Sequence, residues 1–152
     1  MKVIGEYTCR GTLTPSDTHP RKITLFDGQF DTGYRIKKFV VSPYDIDNLN
    51  IRNYLGKVAT HPSLGNTTWN WGDQREIAWS AFVWDANSNA SGNTFDQVDE
   101  DQIIVEDVYV YGIEPAGSTT SFMNYYIEFE KVDISEWEGA LAMARDKAIG
   151  DS

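Results

Sequence analysis

Most of this sequence alternates between apolar and polar residues with a period of two, and this pattern restricts the fold more than any other feature. Together with an enrichment in β-branched and aromatic residues, it predicts strands at residues 2–10, 22–26, 34–42, 53–60, 75–84, 103–111 and 121–132. No helical pattern separates these strands, so a parallel sheet would lack its crossover helices. We therefore predict an all-β fold, an antiparallel two-sheet sandwich of jelly-roll-like topology.

The segment 75–84 departs from simple alternation because both of its faces are apolar. Ile77, Trp79, Ala81 and Val83 fall on one face, and small or aromatic residues fall on the other. This pattern is typical of a central strand that is covered on both sides, or of one that turns a face to a partner.

The end of the chain follows a helical pattern instead. Ser135 and Glu138 match a capping box, and Trp137, Leu141 and Ala144 share one face of the helix that would follow. We therefore divide the chain into a β-sandwich domain, residues 1–133, and a C-terminal amphipathic α-helix or arm, residues 134–150. A helix of this length is marginal alone. It must pack on its own sandwich or grip a neighbouring subunit.

Charge separates the two parts of the chain and argues against several classes of partner. The net charge is −10, with 13 basic and 23 acidic residues. Such a balance does not suit a protein that neutralises phosphates or an anionic membrane surface, so we expect neither direct nucleic-acid binding nor membrane binding. Residues 1–60 nevertheless carry nine basic and six acidic residues, a net of +3, and residues 61–152 carry a net of −13. The asymmetry indicates either a solvated acidic surface or complementary faces for association.

Signals for catalysis and for resident cofactors are weak. The two histidines, His19 and His61, each precede a proline in loop-like surroundings, and neither belongs to a spaced metal motif. Cys9 is the single cysteine, so it has no internal disulfide partner and is interpreted as a buried thiol. We predict no catalytic residues, no enzyme activity and no cofactor. The one metal hypothesis is a calcium site at Asp96, Asp99 and Asp101, against the alternative of solvated loop carboxylates.

Two tryptophans and two lysines are the remaining candidates for contact with a partner. In an extended chain, the indoles of Trp69 and Trp71 point the same way and could form a platform for a glycan, with Trp79 and Trp84 beside them. The alternative is that they pack on the sandwich or at a subunit contact. Lys37 and Lys38 could meet the acidic cluster at residues 99–101 of a neighbouring subunit. With the apolar helix face, they form the predicted subunit interface.

Four stretches have a familiar sequence: LFDGQFDTGYRI at residues 25–36, DQREIAW at 73–79, IVED at 104–107 and ISEWEGALAMAR at 134–145. They resemble small uncharacterised proteins encoded by marine and environmental viruses, chiefly bacteriophages, and the similarity runs from Lys22 to Lys147. The resemblance implies a protein of the virus particle. It carries no catalytic signature and no set of functional residues.

The sequence thus leads to one preferred function and one alternative. The preferred function is a non-enzymatic virion structural protein, a capsid or capsid-associated subunit, that assembles with copies of itself or with other virion proteins. It would be made in the host cytoplasm, as expected for a start without the apolar core of a secretory signal, and would end in the virion. The alternative is a carbohydrate- or receptor-binding module that uses exposed tryptophans.

Overall fold

In the part of the chain that the structure describes, eight strands build two antiparallel sheets. The computed structural model describes residues 2–15, 20–26, 28, 31–44, 52–64, 68–85, 90–113 and 122–134. The strands are β1 (Lys2–Leu13), β2 (Arg21–Ile23), β3 (Thr32–Pro43), β4 (Arg52–Ala59), β5 (Glu76–Asp85), β6 (Ala90–Val98), β7 (Val108–Ile113) and β8 (Met123–Asp133).

The strand order places the first and the last of the described strands next to each other. The smaller sheet has the order β1-β8-β3, and the larger sheet has the order β2-β7-β4-β5-β6. Three of the pairs, β1 with β8, β2 with β7 and β4 with β5, have strand numbers that add to nine, and β3 lies against β6.

The core lies between the two sheets and is formed by every second residue of the facing strands. Its fully buried members include Phe39, Val58, Val108, Met123 and Ile127. The sheets approach closely at Gly56, where an added Cβ would lie 2.7 Å from Cγ1 of Val41. A larger residue at this position would push the sheets apart, so glycine fixes their spacing here.

The prediction of an all-β fold with two antiparallel sheets is confirmed. Each predicted strand overlaps a strand of the structure, and β5 is a central strand between β4 and β6. The predicted helix at residues 134–150, with Trp137, Leu141 and Ala144, lies outside the described residues except for Ile134. Ile134 is buried with Val105 and Val132, and its amide donates to the carbonyl of Asp31 at 2.8 Å.

Two strand predictions were wrong in detail. The loop predicted over residues 85–92 gives way to β6 from residue 90, because a strand at the edge of a sheet tolerates small polar residues. The strand predicted over 103–111 begins only at Val108. Upstream of it, Ile104 forms an isolated bridge with Tyr34, and the Asp107 carboxylate accepts a hydrogen bond from the amide of Leu25 at 3.3 Å.

Candidate functional site

The connection between β4 and β5 crosses the outer face of the larger sheet, the side that faces away from the core. The amide of Thr60 donates to the carbonyl of Arg75 at 2.9 Å and closes the base of this connection. Tyr111 of β7 holds its first half, since its hydroxyl donates to the carbonyl of His61 at 2.6 Å and accepts from the amide of Leu64 at 3.2 Å. We call residues 60–75 the covering segment; within it, residues 60–64 and 68–75 are described.

A buried ion pair lies beneath the covering segment. Lys57 of β4 and Glu76 at the start of β5 approach to 3.2 Å between Nζ and Oε2, and their side chains are 2% and 3% exposed. The ammonium also donates to the carbonyl of Thr68 at 2.9 Å and lies 5.2 Å from the ring centre of Tyr111. Two charges removed from water are tolerated only when their hydrogen-bonding capacity is filled, as it is here.

The carboxylate of Glu76 connects the sheet to the covering segment. Its Oε1 accepts a hydrogen bond from the amide of Asn70 at 2.9 Å and another from the indole Nε1 of Trp79 at 3.0 Å. One side chain therefore fixes the backbone between Trp69 and Trp71, and it also fixes the indole on which Trp71 rests.

The second half of the covering segment is a tight, charged turn. The side chain of Asn70 accepts from the amide of Gly72 at 3.1 Å, and the amide of Asp73 donates to the carbonyl of Asn70 at 3.0 Å. Arg75 donates to both oxygens of Asp73, at 2.9 Å and 2.7 Å for the two shortest contacts. These hydrogen bonds from the guanidinium hold the pKa of the Asp73 carboxyl below its ordinary value.

Three aromatic side chains lie together on this face and form what we call the aromatic platform: Trp69, Trp71 and Phe95. The ring planes of Trp71 and Phe95 differ by 12° with centres 6.1 Å apart, and those of Trp69 and Phe95 differ by 29° at 5.8 Å. Trp71 is 59% exposed and Phe95 is 43% exposed, whereas Trp79 beneath them is 7% exposed. Trp79 supports Trp71 at 5.5 Å between ring centres.

A pocket of about 250 Å³ opens beside the platform. Trp69 and Tyr111 are its two aromatic lining residues. The other lining residues are Leu55, Gly56, Lys57, Thr68 and Ile113. Pockets that enclose drug-sized ligands are about 300–1,000 Å³, so this one suits a smaller group such as a single sugar ring.

The structure thus brings the two predicted platform residues together on one face, with Trp69 half-buried and Trp71 exposed. Trp69 packs on the sandwich, as one of the two interpretations expected, whereas Trp71 is open to solvent, and the role of the pair in glycan binding stays a prediction. Trp79 joins them as a support, and the side chain of Trp84 lies outside the described residues.

The predicted calcium ligands do not converge. Within the described part of the chain there is no group of three or more His, Cys, Asp or Glu side chains that could hold a metal ion. Asp96 accepts a hydrogen bond from the hydroxyl of Ser80 at 2.6 Å, and Asp99 accepts one from the amide of Asp101 at 3.2 Å. Asp96 and Asp99 thus have structural partners within the chain.

The lysine pair of the predicted interface is only in part available to a neighbour. Lys37 contacts Glu100 of its own chain, at 2.8 Å between Nζ and Oε1, so this ion pair needs no second subunit. Lys37 is the extra residue of a bulge, since Ile36 pairs with Phe129 and Lys38 with Glu128. The bulge turns Lys37 towards the loop after β6 and leaves Lys38 exposed.

The remaining candidates have ordinary surroundings. His61 is half-buried, and its Nδ1 accepts from the amide of Ser63 at 3.2 Å, whereas His19 lies outside the described residues. Cys9 is a free, half-buried cysteine that packs against the core. No helix that could span a membrane occurs among the residues for which the structure gives a placement.

Sequence reasoning missed three residues of the site: Lys57, Glu76 and Phe95. A lysine in a strand is normally interpreted as a solvent-facing residue. The only indication that Lys57 lies on a covered face was the presence of aromatic residues in β4 and β7. Phe95 was missed together with β6. Phe95 lies two residues from Gln97 and opposite the apolar outer face of β5, so it could have been found only if β6 had first been recognised as the neighbour of β5.

Comparison with known proteins adds little to this geometry. No protein-family model matches the chain, and no match is found among curated proteins. Among solved structures, a lectin from Bauhinia forficata in complex with GalNAc is similar at 14% identity, over 87% of this chain and 94% of that chain, with a TM-score of 0.22. At that TM-score, the similarity carries no argument about this chain.

Proposed function

We propose that this chain is a non-enzymatic binding module whose aromatic platform stacks on a carbohydrate ring. The observation that carries the proposal is the near-parallel placement of two exposed rings, those of Trp71 and Phe95. Trp71 lies on the covering segment, which the buried ion pair fixes, and Phe95 lies on the edge strand β6. Exposed aromatic clusters of this kind are a cost to solubility, so they usually mark a binding surface. Because Trp71 is supported before any ligand arrives, little ordering entropy opposes binding.

The surrounding charge favours an uncharged ligand. Nucleic-acid bases also stack on aromatic rings, but their phosphates need cations beside the rings. The two cations described at this site, Lys57 and Arg75, are each held in an ion pair, and the chain carries a net charge of −10. A sugar ring offers an apolar C–H face for the indoles and hydroxyl groups for polar neighbours. Gln97 and Thr68 are exposed polar residues at the rim.

The strand order supports a finer description of the fold. We propose that the sandwich is a jelly roll, in which a long hairpin of eight strands is rolled so that strands whose numbers add to nine become neighbours. Three such pairs are hydrogen-bonded. The fourth pair, β3 with β6, is not formed, because β6 pairs with β5 at the edge of the larger sheet. Jelly rolls occur among both lectin domains and viral capsid proteins. The fold is therefore compatible with a glycan-binding module and with a capsid subunit.

A glycan array followed by titration of tryptophan fluorescence tests the platform, in the presence and absence of calcium. We expect Trp71→Ala to weaken binding of the array's strongest glycan at least about fivefold, by analogy with nucleobases, whose stacking on an aromatic side chain contributes about 1–3 kcal/mol. Tyr44→Ala is the matched control, because Tyr44 is also 59% exposed and lies away from the platform. Binding that Trp71→Ala leaves unchanged, or an array with no glycan bound in either condition, would contradict the proposal.

A second candidate function is the one that the resemblance implies, a virion structural subunit. It stays a prediction, and one structural feature favours it: the long edge strand β1, with Val3, Ile4 and Tyr7 each at least 40% exposed. An assembling protein needs a surface of this kind. Electron microscopy of the unfixed protein tests this candidate. Symmetric particles support it, and a monodisperse monomer at high concentration contradicts it.

A further inference from the structure

The strand β1 forms one edge of the smaller sheet and offers backbone groups to a partner, except near its end, where the carbonyl of Thr12 accepts a hydrogen bond from Arg21 at 3.1 Å. β8 pairs with it over residues 2–13, and no other strand in the described part of the chain does so. Strands of this length seldom remain open at an edge, because unpaired amides and carbonyls recruit another strand. A bulge at Ile4 interrupts the pairing near one end, and residues 5–13 run in regular register.

The side chains of β1 divide between two faces. Cys9 and Leu13 point to the core, while Glu6, Thr8 and Arg10 lie on the outer face and are exposed. Glu6 and Arg10, which carry opposite charges, thus lie two residues before and two residues after Thr8. In an antiparallel pair of identical strands, a two-fold axis at Thr8 places Glu6 of one copy opposite Arg10 of the other, and it does so twice.

Other symmetric registers lack this complementarity. An axis at Glu6 would set Glu6 against its own copy and Lys2 against Arg10, which are like-charge pairs. An axis at Ile4 falls on the bulge. A register shifted by one residue would put the outer side chains of one copy beside the core-facing side chains of the other.

We propose that β1 pairs with β1 of a second copy of this chain, antiparallel and centred on Thr8, so that two smaller sheets become one continuous sheet. On the core-facing side, Tyr7, which is 52% exposed, then lies opposite Cys9 of the other copy. Two acidic chains can approach along β1 because the opposite charges of Glu6 and Arg10 face each other twice across the axis.

This inference deepens the second candidate function, since it names the partner and the register of an assembly contact. It is independent of the aromatic platform. A protein that binds glycan as a monomer would contradict the β1 pairing and support the platform. A dimer that binds no glycan would support the β1 pairing and contradict the platform.

Charge exchange tests the register by sedimentation velocity over a range of concentrations. Glu6→Arg and Arg10→Glu each convert two attractive pairs into two repulsive ones, so we expect each to weaken dimerisation at least about tenfold. The double variant Glu6→Arg/Arg10→Glu restores opposite charges across the axis and should recover the wild-type dimer. Lys38→Glu, on the same face but on β3, is the control and should leave the dimer unchanged.

A cross-link tests the centre of the register without relying on affinity. In the Cys9→Ser background, Thr8→Cys places two thiols on the axis, and mild oxidation should give a covalent dimer. Lys38→Cys in the same background should stay largely monomeric. A wild-type protein that is monomeric at several hundred micromolar overturns the proposal. So does a dimer that neither charge variant weakens, or a Thr8→Cys protein that does not cross-link.

Discussion

The outer faces of the two sheets arise from the same alternating pattern but have opposite characters. On the smaller sheet, the outward residues of β8 are polar, and they form partly exposed pairs such as Arg35 with Glu130 at 2.7 Å. On the larger sheet, the outward residues include Trp79 and Tyr111, and the covering segment buries an ion pair against them. The outer face of the smaller sheet is solvated, whereas the covering segment buries part of the outer face of the larger sheet.

The difference shows that burial determines how much an ion pair matters for stability. Arg35 and Glu130 keep side-chain exposures of 26% and 15%, so water can replace either partner. Lys57 and Glu76 are almost fully buried, so neither can lose the other without leaving an uncompensated charge. An ion pair is therefore nearly dispensable on one sheet and essential on the other.

Removing the buried charge should give the largest effect. We expect Glu76→Gln to lower the free energy of unfolding by about 3–5 kcal/mol, because the Lys57 ammonium would face an amide instead of a carboxylate. Urea denaturation measures the loss. Glu130→Gln is the matched variant on the smaller sheet and should cost about 1 kcal/mol or less. Equal losses for the two variants would remove the distinction between the faces.

A rescue variant separates the charge from the packing. Adding Lys57→Met to Glu76→Gln removes the isolated ammonium, so most of the lost stability should return. If the double variant is less stable than Glu76→Gln alone, the hydrogen bond from Lys57 to the covering segment matters more than its charge.

Truncating Phe95 should give a smaller loss that also reports on the platform. Phe95→Ala removes ring contacts with both tryptophans, each worth about 0.5–1.5 kcal/mol, so we expect a loss of roughly 1–3 kcal/mol. Phe122→Ala is the control, since Phe122 is similarly exposed, at 48%, and has one ring contact in the described residues, with Tyr44. Thermal unfolding should show the larger shift for Phe95→Ala. A larger shift for Phe122→Ala would mean that the platform is not a packed unit.

The surface pair can be measured by a double-mutant cycle. We expect Arg35→Met and Glu130→Gln to show a coupling energy of about 0.2–1 kcal/mol, which falls as salt is raised. A coupling energy as large as that between Lys57→Met and Glu76→Gln would contradict the assignment of Arg35 and Glu130 to a solvated face.

The smallest expected effect is a pH dependence at the turn of the covering segment. The pKa of Asp73 is lowered by Arg75, so its contribution to stability is complete above its ordinary pKa of 3.8 and is lost as pH falls through the lower, folded pKa. Asp73→Asn should therefore destabilise the protein at pH 7 and much less at pH 2. A difference between the proteins that is the same at both pH values would show that Asp73 acts without its charge.

The sequence predicted the sheets better than it predicted the site. Alternation located β1, β3 and β8, whereas β5 was located by a run of residues that is apolar on both faces. It could not predict that Lys57 is buried, since that depends on a connection folding back over the sheet. The closeness of Trp69 and Trp71 was visible in their spacing, whereas their alignment with Phe95 is a tertiary effect.

We propose that the outer face of the larger sheet, and not that of the smaller sheet, binds the ligand. Nuclear magnetic resonance of the ¹⁵N-labelled protein, titrated with the strongest glycan from the array, tests it most directly. The claim predicts that the indole signals of Trp69 and Trp71 shift progressively, while the amides of Thr8, Lys38 and Glu128 on the smaller sheet stay in place. Shifts concentrated on the smaller sheet, with both indoles unmoved, would contradict it.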